Sequence, residues 1–136
     1  MDVADRLAQL ALFVDLTPAQ VEAIAHSHEE GVFSEGERVL RRGLSGGNFY
    51  VILEGEASVV SDGTTLRRLG RGDFFGEISA LTGESPSADV VADTMLRCFI
   101  IAGNELESLL LERPEMMLRL LRLEARRLQT AGTWQT

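Results

Sequence analysis

The sequence predicts a mainly β fold, a double-stranded β-helix (jelly-roll) barrel set between N-terminal and C-terminal helices. Three observations predict it. Apolar residues recur at helical spacing up to about residue 28, alternate between residues 31 and 101, and return to helical spacing from residue 104. The alternating part is cut into short runs by turn residues at close intervals, which is the pattern of a barrel or jelly roll. At 136 residues the chain has the length of a single domain with a sizeable core.

The elements follow in order. Residues 2–10 read as a short amphipathic helix, with Val3, Leu7 and Leu10 on one side. A second helix opens at Thr17, the N-cap, with Pro18 at the first helical position and Gln20 completing a capping box. Val21, Ile24 and Ala25 carry its apolar face to about Ser27. Strands are expected over residues 31–33, 38–41, 49–53, 56–60, 64–69, 89–92 and 95–101. Asp62-Gly63 between two of them is a hairpin signal. Gly36, Gly43, Gly55, Gly70 and Gly72 stand at turns, and most should have a positive φ or no room for a Cβ. Helices are then expected over residues 104–111 and from Pro114 to about residue 129.

That last helix carries too many apolar residues for one buried stripe. Leu118, Leu121, Ala125 and Leu128 fit a/d spacing, so one face can meet the barrel and the other a partner helix. A homodimer through this helix is one expectation, and broader burial within the chain is the other. Residues 131–136 read as a frayed tail.

Charge and composition narrow the function classes. The net charge is −8, against nonspecific binding of nucleic acid. All thirteen basic residues are Arg, so any phosphate would have to be met by Arg. Arg113, Arg119, Arg122, Arg126 and Arg127 read as a solvated helix face. No apolar run approaches the ~20 residues that cross a bilayer, and the N-terminus lacks a signal-peptide pattern. A cytoplasmic module without membrane insertion is expected. Cys98, in an apolar run, reads as an inert core thiol. His26 and His28 are two apart at a helix end and point in different directions, and no nucleophile–base set stands out. Neither a metal site nor an enzyme is expected, including a cupin, which shares the jelly roll but needs converging metal ligands.

The chemistry concentrates in LGRGDFFGEISALTGESPSADVVA, residues 69–92. A glycine turn leads into one helical turn whose first amides, those of Gly76, Glu77, Ile78 and Ser79, suit an anion. Glu77 cannot hold an anion, but it accepts hydrogen bonds from hydroxyls next to one. Ser87 and Ala88 close the following loop. This stretch resembles the phosphate-binding cassette of the cyclic nucleotide-binding domain family, whose usual form is FGE(I/L)(A/S)LL…GEPRSATV. With the opening helices and the glycine-punctuated strands, the resemblance runs from Leu12 to Leu128.

The resemblance implies one domain over residues 1–136: helices to residue 28, a barrel over 31–101 with its cassette at 72–88, and helices over 104–130. It implies cAMP or cGMP as a regulatory ligand and no cofactor. The amides of residues 76–79 would cradle the cyclic phosphate, Glu77 would bind the ribose 2′-hydroxyl, and Ser87 and the Ala88 amide would add donors. Phe75 would pack beneath. The sequence departs from the family at Pro86, where an Arg that pairs with the phosphate is usual, and Pro offers neither charge nor N–H. Candidates for a replacement cation are Arg97, Arg122 and Arg126, against their reading as surface residues. Trp134 reads as part of the tail rather than as a lid over a base. Two functions follow. One is a module that binds a cyclic nucleotide and signals through its last helix. The other is a degenerate member that serves oligomerisation or scaffolding, or binds another ligand. A helix-turn-helix would have to follow residue 136, so no direct contact with nucleic acid is expected.

Overall fold

Strand β3 (Asn48–Glu54) is buried on both faces along nearly its whole length, and the architecture is built around it. In the computed structural model, which describes residues 2–44 and 47–130, Phe49, Val51 and Leu53 face one core while Tyr50 and Ile52 face another. β3 belongs to a four-stranded antiparallel sheet of order β1-β8-β3-β6, with β1 at Glu29–Phe33, β6 at Phe74–Phe75 and β8 at Leu96–Ala102. The second antiparallel sheet has the order β2-β7-β4-β5, with β2 at Arg38–Leu40, β4 at Ala57–Ser61, β5 at Thr64–Leu69 and β7 at Asp89–Ala92. The jelly roll is thus a sandwich of two facing sheets; among the described residues no strand pairing closes it into a barrel.

Between the sheets lie Leu40, Ile52, Ala57, Leu69, Val90, Leu96 and Cys98. Burial pushes the Cys98 thiol up to about 12, consistent with an inert side chain. The outer face of the first sheet presents Phe49, Val51, Phe99 and Ile101 to the helices. Helices α1 (Val3–Ala8) and α2 (Pro18–Ser27), with a 3-10 turn at Ala11–Phe13 between them, supply Leu7, Leu12, Phe13, Val21 and Ile24 to that layer. Helices α4 (Gly103–Glu112) and α5 (Pro114–Thr130) supply Leu106, Leu110, Met116 and Leu120; the short α3 (Glu77–Thr82) lies between β6 and β7.

Local chemistry explains the boundaries. Thr17 Oγ1 accepts from the Gln20 amide at 3.2 Å, and Gln20 Oε1 accepts from the Thr17 amide at 2.9 Å, closing the expected capping box. Asp62 and Gly63 have φ of 51° and 77°, the left-handed pair that a two-residue hairpin turn requires. Of the five turn glycines singled out, Gly36, Gly43, Gly55 and Gly72 take positive φ and Gly70 does not. Gly55 is the most constrained of these, because a Cβ there would fall on the Met95 carbonyl.

Helix α5 buries Met116 and Leu120 and leaves Met117, Leu118, Leu121 and Leu128 exposed, so its wide apolar band is not absorbed within the chain. Arg119 instead forms a two-pronged bond to Asp15, 2.9 Å and 3.0 Å, tying α5 to the segment after the 3-10 turn. The tail at 131–136, with Trp134, lies outside the described residues.

Phe99 has no exposure and sits where helices and sheet meet. Phe99→Ala should therefore cost about 3–5 kcal/mol in urea unfolding. Val14→Ala, at an exposed position, should change stability by no more than about 0.5 kcal/mol.

Candidate functional site

A cavity of about 770 Å³ opens between the β4–β5 wall of the sandwich, the segment from Phe74 to Ala88 and the C-terminal half of α5. All seven residues singled out in the sequence, Phe75, Gly76, Glu77, Ile78, Ser79, Ser87 and Ala88, line it.

The cassette is held in shape by backbone constraints. Gly76 ends β6 with φ 86° and ψ 0°, and a Cβ there would fall on the Asn48 carbonyl, so only glycine turns the chain into α3. The first helical bond runs from the Ala80 amide to the Gly76 carbonyl at 3.0 Å, which leaves the Glu77, Ile78 and Ser79 amides ahead of it. Gly83 caps the other end through its amide to the Ser79 carbonyl, 2.9 Å. Phe75 stacks flat on Tyr50, with ring centroids 4.7 Å apart. Ile78 is 61% exposed, and Ser79 is buried. Ser87 is exposed at the rim, and Ala88 is half-buried.

Pro86 is buried. Its carbonyl accepts from the Gly43 amide at 3.0 Å, and the Asp89 carboxylate accepts from the Arg42 amide at 2.8 Å. These two bonds strap the loop to the chain following β2. Position 86 therefore contributes apolar surface and a carbonyl to the loop, and no positive charge to the cavity.

Opposite the cassette stands a residue that sequence reading placed on a solvated face. Arg127 donates to the Phe74 carbonyl, to Glu77 Oε1 at 3.3 Å and to Glu124 Oε1 at 3.3 Å. Its guanidinium lies 3.9 Å over the centre of the Phe74 ring. Arg122 and Arg126 are exposed, as expected for that face, but Arg127 and Arg119 are not free on it.

Glu77 is 5% exposed, and its Oε2 is buried without a hydrogen-bond partner among the described residues. Burial, reinforced by the nearby Glu124 carboxylate, pushes the Glu77 carboxyl up to about 7 even though Arg127 opposes the rise. Burial also lowers the Arg127 guanidinium, with Glu77 and Glu124 opposing. The site thus holds a carboxyl poised near neutrality, with one oxygen bound to α5 and the other lacking a partner.

None of the three arginines proposed as replacement cations reaches the cavity. Arg97 lies between Glu30 at 3.7 Å and Glu54 at 3.6 Å, and Arg122 and Arg126 are not in the cavity wall. The arginines that do line it are Arg67, Arg68 and Arg127. Arg67 shares a face of β5 with the buried Leu69, but Leu66 falls on the opposite face, so alternation alone did not single it out. The histidines stand apart from this site. His28 Nδ1 is 3.0 Å from Glu105, and its ring meets Phe99 edge-on.

Comparison with known proteins bears on the family. The sequence profile described as Cyclic nucleotide-binding domain matches residues 30–113. A cyclic nucleotide-gated cation channel of Drosophila melanogaster is 34% identical over 119 residues, covering 82% of this chain and 18% of the channel. Potassium/sodium hyperpolarization-activated cyclic nucleotide-gated channel 2 of Mus musculus is 33% identical over 110 residues, covering 81% of this chain and 13% of the channel. The chain thus spans less than a fifth of these curated relatives. Among solved structures, the Catabolite Activator Protein of Thermus thermophilus superposes with a TM-score of 0.80 at 26% identity, covering 90% of this chain and 60% of that one.

Glu77 makes stability depend on pH. Its carboxyl is raised from 4.5 to about 7 on folding, so folding favours the neutral form. The contribution is full below pH 4.5 and is lost as pH rises through about 7, a difference of roughly 3 kcal/mol. Urea midpoints at pH 5 and pH 8 should show this slope in the native chain and a much flatter one in Glu77→Gln. An undiminished slope in the variant would assign it to other groups.

Proposed function

The chain belongs to the cyclic nucleotide-binding domain family, and from that premise we propose a regulatory module whose large cavity takes cAMP or cGMP and whose helix α5 carries the signal. The observation that carries this reading is the double engagement of Glu77. It lines the cavity and is bonded to Arg127 of α5, so a ligand there and the helix act on one carboxyl.

The coupling has a physical sign. A ribose hydroxyl donating to Glu77 Oε2 would stabilise the charged carboxylate that burial disfavours. A charged Glu77 attracts Arg127 more strongly, so the ligand and the docking of α5 favour each other, and α5 docking raises ligand affinity by the same factor. The free amides at the start of α3 would face the cyclic phosphate, with the Ala88 amide and the Ser87 hydroxyl at the edge. Leu128 and Thr130, also in the cavity wall, would close over the base side as α5 docks.

The alternative reading, a degenerate member, is favoured by Pro86 and its commitment to the loop. Calorimetric titration with cAMP and cGMP separates the two. Micromolar binding supports the module, whereas absent or millimolar binding of both would leave the degenerate member, serving oligomerisation or scaffolding or binding another ligand. In Pro86→Arg, a charge-assisted bond worth roughly 1.5–3 kcal/mol should raise affinity by about ten- to a hundredfold.

The exposed stripe of Leu118, Leu121, Ala125 and Leu128 supports a homodimer through paired α5 helices. Leu121, 64% exposed, is its centre. Leu121→Glu should halve the mass seen by light scattering with the circular dichroism unchanged, and an unchanged mass would contradict the dimer.

A further inference from the structure

We infer that Arg67 of β5 supplies the positive charge that position 86 lacks, so that the ligand's anionic group is held from the strand wall of the cavity. The inference rests on the reading that this cavity binds a cyclic nucleotide, and it identifies the residue that makes an anionic ligand acceptable there.

Of thirteen arginines, the cavity is lined by Arg67, Arg68 and Arg127. Arg127 is committed to the Phe74 carbonyl, Glu77 and Glu124. Arg68 has a side chain 74% exposed and lies 3.7 Å from Asp93. Arg67 is half-buried and has no carboxylate partner among the described residues. It pairs across the sheet with Val59, as Leu69 pairs with Ala57, and Val59, Leu69 and Ala57 all belong to the core between the sheets. Arg67 therefore shares the inward face of β5.

The large cavity also carries the carboxylates of Glu77, Glu84 and Glu124, the first and last of which are taken up by Arg127. Burial lowers the Arg127 guanidinium most, Glu77 and Glu124 oppose this, and the Arg67 charge adds to the lowering, which places Arg67 close to the α5 seam. Arg67 also lines an adjoining cavity of about 360 Å³, together with Arg71, Arg126 and Arg127. Among the described residues Asp73 is the sole carboxylate there, and one of its oxygens already accepts from the Gly70 amide at 2.9 Å. In a chain of net charge −8, this is a local excess of cations around a partly desolvated guanidinium. A half-buried guanidinium without a carboxylate partner is relieved by an anion that reaches it. A cyclic phosphate diester is an anion that the cavity can receive, and it would meet Arg67 from one side and the α3 amides from the other.

The test uses the whole chain and three probes: cAMP, cGMP and the uncharged nucleoside adenosine. Arg67→Ala should weaken whichever cyclic nucleotide binds by at least tenfold, leave adenosine binding unchanged and flatten the salt dependence. Arg67→Lys should recover part of the loss. Pro86→Arg in the Arg67→Ala background should restore affinity by placing the charge on the cassette instead. Cyclic nucleotide affinity in Arg67→Ala equal to that of the native chain would overturn the inference and leave the cavity's function standing. Equal loss for adenosine and cAMP would also overturn it, by showing that Arg67 acts on the nucleoside. If the native chain binds neither cyclic nucleotide, the functional reading and this inference fall together.

Discussion

Burial pushes both partners of the Glu77–Arg127 pair toward neutrality, and each opposes that push in the other across the seam between sandwich and last helix. Such a pair adds little net stability, because taking both charges out of water costs about what their attraction returns. Losing one partner is costly, because the other stays buried alone. That asymmetry suits a switch. On the proposed reading, a hydroxyl on the unpartnered oxygen of Glu77 would alter how strongly α5 is held without disturbing the core. The two halves of α5 are anchored differently in keeping with this. Met116 and Leu120 seat the first half in the apolar layer, and Arg119 locks it to Asp15. The second half has only the partly buried Leu123 against that layer and reaches the sandwich through Arg127, bonded to Glu77 and the Phe74 carbonyl.

The sandwich provides the frame against which that helix packs. β3 is packed on both faces, and β6, two residues long, hangs from it through the Tyr50–Phe75 and Val51–Phe74 pairs. The cassette begins where β6 ends, with Gly76 pressed against the Asn48 carbonyl, so the carboxyl of Glu77 is positioned by the most buried strand of the fold. The loop carrying Pro86 is strapped at its other end to the chain after β2. The backbone-fixed start of α3 and the end of the last helix thus meet at one residue, and Arg67 of β5 lines the same cavity.

Much of this was legible where chemistry is local. Thr17 with Gln20, and Asp62 with Gly63, are short-range signals whose geometry depends on few other residues. The seven cassette residues lie close enough in sequence to be read together, and the structure brings all of them to one cavity. What was not legible comes from a distance or runs against polarity. β6 is too short to show a period. In β5, Leu66 is 62% exposed while Arg67 is half-buried, the reverse of what hydropathy assigns to those side chains. Arg127 looks in sequence like its neighbour Arg126, and only the packing of α5 over Phe74 separates a buried guanidinium from a solvated one.

The most direct test of the coupling between cavity and helix is a distance measurement across the seam. Spin labels at Gln129 on α5 and Glu35 in the turn after β1, both exposed, would report helix position by pulsed electron resonance, and the buried Cys98 would stay unlabelled. Saturating cAMP or cGMP should narrow the distance distribution in the native chain and leave it unchanged in Arg127→Met. The same response in both backgrounds, or none in a native chain shown to bind the nucleotide, would contradict the account.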